Sequence, residues 1–358
     1  MDKTTLRYAV RRRVVIATLL AVLLCVCGIA LSNAANPIYV VCGKVAIAAV
    51  LAAVLCVCGI ALGNAANPVG TARLALHSCV IWSDIWPFPR GGNAPFRLIN
   101  LFYALGIFKP VRVKVWPGFY MELDSRDFVT RNILTDGAWE ARINGIAIAF
   151  LQEGSVFVDV GAHVGYHSLF ASTQVGLSGR VVAIEPNPPT AERLRRNIRL
   201  NRCTNIVVEE AACTEKEQQL ELIQGPVHNT GNSSLTTKNA FGANRVAVRG
   251  VPLDALIKTQ NLQRIDLVKI DVEGAELQVL HGMKETVAKY HPRIIIELRT
   301  SLLAGMGTSM DEVATWFRQA GYLQGRQIDD DDFLWCPDPA WNSPKSFDGE
   351  HSTAPELI

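Results

Sequence analysis

The chain is 358 residues long, with 49% hydrophobic and 19% charged residues and a formal net charge of +2. That length holds one large or two small domains, and the composition suits a globular protein with added apolar segments. Lys3, Arg7, Arg11, Arg12 and Arg13 face only Asp2 at the start of the chain, so the remainder is slightly acidic, which excludes a broad basic surface for nucleic acid.

Two apolar runs of 18 residues, 14–31 and 45–62, come first. Each is just long enough to span a bilayer. Each ends in a repeat: LCVCGIALSNAANP over 24–37 returns as LCVCGIALGNAANP over 55–68, with Ser32 replaced by Gly63. Arg11, Arg12 and Arg13 before the first run set the N-terminus in the cytoplasm. Two inserted runs would then form a hairpin with both ends inside, and residues 1–68 read as a membrane anchor. A cleaved secretory signal with a Ser-Asn-Ala site at 32–34 is the rival reading. Cys25, Cys27, Cys42, Cys56, Cys58 and Cys79 fall in or near this region, while Cys203, Cys213 and Cys336 are scattered. With no C-x-x-C and no histidine cluster, a reducing compartment without disulfides is expected.

Residues 69–110 read as a linker. Its stretch SDIWPFPRGGNAPF, 83–96, is rich in Pro, Gly and aromatics, which break regular structure. Residues 98–108 read as a helix, packed in the ordinary way or lying on a membrane surface. Val111 to Val115 alternates and predicts a strand, with Phe119 to Leu123 as its hairpin partner. Residues 128–151 read as mostly helical.

The most informative stretch follows. An apolar run, Val156 to Val160, ends in the turn Asp159-Val160-Gly161-Ala162-His163-Val164-Gly165. A helical segment leads to a second run, Val181 to Ile184, closed by Glu185. Strand, glycine turn, helix, strand, acid is the first half of a nucleotide-binding α/β unit. Gly161 and Gly165 would let the backbone approach a ligand, and Glu185 would hydrogen-bond both ribose hydroxyls. A dinucleotide site needs G-x-G-x-x-G. Here an acid heads the pattern Asp-x-Gly-x-x-x-Gly. Asp159 would repel a pyrophosphate but suits a ligand carrying an ammonium and a sulfonium, S-adenosylmethionine (SAM). A cleaved signal would carry such a site to where SAM is scarce, which counts against that reading.

Further strands are predicted at 206–209, 267–271 and 293–298, with extra strands of an insertion at 220–223 and 245–251. Residues 322–328 and 333–335 would close the sheet as an antiparallel pair, and 337–358 read as a loose tail. In open α/β sheets ligands sit at the carboxyl ends of the strands, where Asp159, Glu185, Asp271 and Glu297 fall. Residues 210–212, with Ala211 at their centre, should border the adenine. Asp271 ends the fourth strand, the usual place of the reacting centre, and could orient or deprotonate a hydroxyl; Glu273 could share that role. The alternative for Asp271 is capping the next helix. Glu297 could join Asp271 around magnesium, but a structural glutamate is the simpler expectation, and no metal is assigned. His163 and His167, four apart, could share a helix face, yet no third ligand suggests zinc. Asn187-Pro188-Pro189-Thr190 follows the second strand and lacks a final aromatic, so it reads as a turn opening a helix rather than an amino-methylation motif.

Several of these motifs together resemble the FkbM family of SAM-dependent methyltransferases, from about Val111 to Trp335. They are the Asp159–Gly165 turn, Glu185-Pro186-Asn187, Asn229-Thr230-Gly231-Asn232-Ser233-Ser234, Val251-Pro252-Leu253-Asp254, Lys269-Ile270-Asp271-Val272-Glu273-Gly274-Ala275-Glu276 and Glu297. The resemblance implies an α/β fold, the seven-stranded Rossmann-like sheet of class I methyltransferases. Residues 111–155 would form its cap and 156–336 the catalytic domain. It implies SAM as cofactor, held by Asp159, Gly161, His163, Gly165, Glu185, Asn187 and Ala211. Asp271, Glu273 and His228 are the candidate catalytic residues, His228 because its loop would border the acceptor. The family usually has Asn where this chain has His163, which should face the methionine end of SAM. The expected protein is a membrane-tethered O-methyltransferase with a cytoplasmic catalytic domain, acting on a small-molecule or glycan hydroxyl. Protein or nitrogen methylation, and a non-catalytic SAM-binding protein, are the alternatives.

Overall fold

The computed structural model describes residues 110–124, 126–225, 229–231, 233–235, 244–322 and 324–337. The apolar runs, the repeat and most of the linker lie outside the described residues, as do His228 and all but the first residue of the tail. No helix among the described residues is long and apolar enough to cross a membrane. The chain divides into two compact units, Met1–Val113 with Leu123–Arg126, and Lys114–Glu122 with Asp127–Ile358. The site described below lies in the second.

Seven strands form the main sheet: β3 (Val156–Val160), β4 (Arg180–Ile184), β5 (Ile206–Glu209), β9 (Leu267–Ile270), β10 (Arg293–Glu297), β11 (Gln324–Gln327) and β12 (Asp332–Cys336). Their spatial order is β11-β12-β10-β9-β3-β4-β5. β3, β4, β5, β9 and β10 run parallel, and β12 returns antiparallel beside β10. The chain moves outward from β3 in one direction, then restarts at β9 on its other side. That reversal opens a crevice at the carboxyl ends of β3 and β9, the usual place for a ligand in such sheets. The topology is the Rossmann-like class I methyltransferase fold.

The central strands are mostly apolar, interrupted only by Asp159 in β3 and Lys269 in β9, because helices cover both faces of a parallel sheet. Val158, Val182, Val268 and Ile294 are buried among Leu280, Met283, Phe317 and Tyr322. At the far edge the Phe317 and Trp335 rings stack 4.1 Å apart. Gly325 on β11 is required there, since a Cβ would stand 2.5 Å from the Trp335 ring.

Residues 128–151 hold two helices, α1 (Phe128–Asp136) and α2 (Ala141–Phe150). Gly137 takes a left-handed conformation and ends α1, with its N–H bonded to the Ile133 carbonyl. Next in order come α3 (Tyr166–Val175) and α4 (Pro188–Leu200). Ahead of α1, β1 (Val111–Val115) and β2 (Phe119–Leu123) form the expected two-stranded sheet. Between β5 and β9 the chain adds a three-stranded sheet of β6 (Ala212–Cys213), β7 (Gln218–Ile223) and β8 (Arg245–Val251), with order β6-β8-β7. Ala212, Leu222 and Val248 form its small core. The sequence pattern shows β7 and β8 but not β6, whose two residues are too few to show a period.

Candidate active site

The cavity at the carboxyl ends of β3 and β9 encloses about 1350 Å³ of empty space, counting its open mouth. Asp159, Gly161, His163, Glu185, Ala211, Asp271, Glu273 and Glu297 all line it. Positions up to 138 residues apart in the chain are thus brought together by strand order alone.

The turn after β3 is held from below. The N–H groups of Gly161 and Ala162 both donate to the Ile184 carbonyl at 3.0 Å. Gly161 has φ +88, and a Cβ there would stand 1.8 Å from the Asp271 carbonyl oxygen. Gly165 has φ +90, with its Cβ position 2.2 Å from Leu194 Cδ1. The close approach that requires both glycines is therefore internal, to β9's end and to α4. Gly161 lines the cavity as well, whereas Gly165 stands off the lining altogether. Asn187 also stands off it. Its side chain accepts from Gln224 and donates to Ser233, so it braces the insertion instead of facing the cavity.

Glu185 is buried, and both its oxygens are in use. Oε2 accepts from the His163 N–H at 2.9 Å and Oε1 from the Asn187 N–H at 2.8 Å. Each oxygen keeps a second lone pair for a ligand hydroxyl. Burial pushes its carboxyl up to about 7. Asp159 is also buried, accepts from Ser168 Oγ at 2.5 Å, and is raised by burial.

Lys269, named only as part of a motif in the sequence, organises the opposite wall. It is 3% exposed, and its Nζ lies 2.8 Å from Asp271 Oδ2 and 3.9 Å from Glu140 Oε2. Burial disfavours its charge, but Asp271, Glu140 and Asp159 outweigh burial and hold it well above the usual lysine range. Conversely, burial acts to raise Asp271, and Lys269 reverses it, so that carboxyl falls below the usual range. Glu140 sits at φ +43 between α1 and α2 and bonds His167 Nε2 at 2.7 Å. No sequence pattern marks it. Lys269 carries a visible signal, a cation inside the apolar strand LVKI.

Asp271, Glu273 and Glu297 form a carboxyl trio whose oxygens lie within 4.8 Å of one another. Arg299 donates to Glu297 Oε1 at 2.6 Å and reaches Glu273 Oε2 at 3.5 Å. Burial and the charge of Asp271 raise Glu297 to about 10 and Glu273 to about 7. Near neutral pH Asp271 is therefore the ionised member and Glu297 the neutral one. The trio has the oxygen donors a hard cation prefers, but Arg299 already supplies positive charge to two of its members. The alternative of Asp271 as a helix cap does not hold: its carboxylate bonds Lys269, and the next helix, α5 (Glu276–His281), begins after Ala275.

His163 does not share a helix face with His167. It precedes α3, at φ +49, and its Nε2 lies 2.8 Å from Thr230 Oγ1 in the insertion. The family resemblance meets a direct test in comparison with other proteins. A profile of the methyltransferase FkbM domain matches residues 159–323. Residues 159–323 are an FkbM-family SAM-dependent methyltransferase domain.

The FkbM domain has curated relatives of modest identity. Hexuronic acid methyltransferase AglP of Haloferax volcanii is 26% identical over 188 residues, covering 50% of this chain and 73% of that protein. Methyltransferase sdnD of Sordaria araneosa is 29% identical over 199 residues, covering 48% of this chain and 73% of that protein. Among solved structures, a methyltransferase FkbM from Methylobacillus flagellatus is 18% identical, with a TM-score of 0.34, covering 58% of this chain and 52% of that one.

SAM is the methyl donor, and the donor set fits it. The lining is rich in acceptors, Glu185, Asp159 and Glu140 among them, and SAM presents ribose hydroxyls, an ammonium and a sulfonium. Ala211 is small and fully buried on the lining.

Proposed function

We propose that this chain methylates a hydroxyl of a glycan, a lipid-linked sugar or a secondary metabolite. The observation that carries the reading is the Asp271 carboxylate, kept ionised by Lys269 at the carboxyl end of β9 and facing the cofactor cavity. An ionised carboxylate there accepts a hydrogen bond from a hydroxyl and turns its oxygen lone pair toward the donor.

When bound, SAM supplies an electrophilic methyl group on a sulfonium. Glu185 holds the ribose, and the turn from Gly161 to His163 borders the methionine end. Asp271 would orient the acceptor O–H and take its proton. A depressed pKa makes Asp271 a weak base, which suffices because alignment can supply up to about 7–11 kcal/mol of barrier lowering. Glu273 stands beside it as a second acceptor. The hexuronic acid methyltransferase among the relatives supports a sugar acceptor.

The proposed setting is a membrane. Residues 1–68 anchor the chain, 69–110 link it, and 111–336 work in the cytoplasm beside lipid-linked acceptors. A panel of hydroxyl acceptors, scored with labelled methyl donor for wild type and Asp271→Asn, tests the reaction. Label on nitrogen or on protein alone would refute hydroxyl chemistry, and membrane fractionation of the full chain tests the anchor.

A further inference from the structure

A buried relay runs from α1 to the cofactor turn. Asp127 is 1% exposed and caps α1, its Oδ1 accepting from the Thr130 N–H at 3.1 Å. Its Oδ2 accepts the N–H of Thr230 at 3.1 Å and a short hydrogen bond from the Thr230 hydroxyl. Arg193 lies 3.9 Å away on the same oxygen. Thr230 Oγ1 in turn meets His163 Nε2 at 2.8 Å. The relay thus joins three separate segments: the start of α1, the insertion loop and the turn after β3.

Proton counting decides the direction. A hydroxyl has one proton, and that of Thr230 goes to Asp127, so toward His163 it can only accept. Nε2 of His163 must then carry the ring proton. Burial acts to raise Asp127, but its carboxyl falls below the usual range, with the Thr230 hydroxyl, Arg193 and the Thr130 N–H favouring the charged form. Burial lowers His163, so the ring is neutral. Nδ1 is left with a lone pair and has no hydrogen-bond partner among the described residues, while His163 lines the cavity. The backbone at φ +49 is one that residues other than glycine adopt rarely, histidine more readily than most, and here Glu185 holds the N–H and Thr230 holds the ring. Strain stabilised from two sides is a mark of functional sites.

We infer that Asp127 and Thr230 are positioning residues for the cofactor: they fix His163 as the Nε2–H tautomer and present Nδ1 as an acceptor for the ammonium of the methionine moiety of SAM. The inference rests on the reading above that His163 borders the methionine end. It makes the insertion part of the cofactor site, since Thr230 reaches the turn from a loop bridged to β7 at Ile223 and Ser234.

The test is calorimetric titration of the full-length chain with SAM, S-adenosylhomocysteine and methylthioadenosine, which keeps the ribose but lacks the amino acid. Thr230→Val removes the hydroxyl at nearly constant shape, Thr230→Ser restores it, and Asp127→Asn offers Thr230 a donor in place of an acceptor. Thr230→Val should weaken SAM and S-adenosylhomocysteine about tenfold, the worth of a charge-assisted hydrogen bond. Methylthioadenosine should bind within about twofold of wild type, Thr230→Ser should bind normally, and Asp127→Asn should repeat the tenfold loss for SAM. Unchanged SAM affinity in both Thr230→Val and Asp127→Asn, each checked for a cooperative thermal melt, would overturn the relay. Parallel weakening of methylthioadenosine would overturn the ammonium assignment. A wild-type chain that binds methylthioadenosine but gains nothing from the methionine moiety would sink the placement of His163 itself, and one that binds none of the three would sink the cofactor reading.

Discussion

Lys269 and Asp159 are register partners across β9 and β3, and the same lysine bonds Asp271 at 2.8 Å. One buried cation thus serves two carboxylates that sit on different strands at the floor of the site. Burial drives both acids toward the neutral form, and the lysine outweighs it at Asp271 but not at Asp159.

Removing that cation should be costly. Lys269→Met leaves Asp271, Asp159 and Glu140 without their common partner, and breaking a buried pair from one side typically costs about 3–5 kcal/mol. A chemical denaturation midpoint within experimental error of wild type would contradict this account of the site.

Asp271→Asn leaves Lys269 its Glu140 and Asp159 neighbours, so the cofactor should still bind while the reaction slows. The expected loss in turnover is about 10²–10⁴-fold, the usual worth of a positioned proton acceptor, with SAM affinity changed only a few-fold. Single-turnover rates with saturating SAM make the comparison. Equal loss of binding and rate would instead make Asp271 a cofactor ligand.

Cofactor affinity should depend on pH through Glu185. Its carboxyl, raised to about 7 by burial, gains a proton below that value and loses acceptor capacity toward the ribose. SAM should bind progressively more weakly as pH falls from 8 to 6. In Glu185→Gln the affinity should be low throughout and nearly flat with pH. A variant that kept the full wild-type pH slope would assign the dependence to another group, such as Glu273.

Stability of the ligand-free protein should run the other way. Glu185, Glu273 and Glu276 are each raised to about 7, burial being the first cause in all three. Between the unfolded value, near 4.5, and about 7, the folded state holds more protons than the unfolded one, so stability falls as pH rises through that window. The thermal midpoint should be higher at pH 5.5 than at pH 7.5, and a midpoint that climbs over this interval would contradict the burial of these groups.

The two glycines of the turn should respond differently to alanine. At Gly161 the added Cβ meets backbone, the Asp271 carbonyl, which cannot yield without moving the end of β9. At Gly165 it meets the flexible end of Leu194. Both substitutions incur about 1–3 kcal/mol for the positive φ, but Gly161→Ala should also abolish methyl transfer. Gly165→Ala should keep part of it and gain stability when combined with Leu194→Ala. Comparable activity in the two single variants would show that β9 tolerates the shift.

The strands of the main sheet were legible because each is a short apolar run bounded by turn residues, as a parallel sheet covered on both faces demands. The order of acids at strand ends was legible for the same reason: Asp159, Glu185, Asp271 and Glu297 each stand where an apolar run stops. Chemistry at those positions follows from residue type and topology, so the sequence by itself determined the fold class, the donor and the strand-end carboxylates on the lining.

Partnership was decided only in three dimensions. Glu140 reaches Lys269 and His167 through a left-handed backbone between two helices, and Thr230 reaches His163 from an insertion 67 residues away. Gly165 and Asn187 fit a ligand-binding motif in sequence, yet their neighbours turn out to be Leu194, Gln224 and Ser233. The physical reason is range. Apolar periodicity and turn chemistry act over a few residues and leave a mark in the sequence. Hydrogen bonds and charge pairs between distant segments depend on where the strand order carries each side chain, and only the packed sheet sets that.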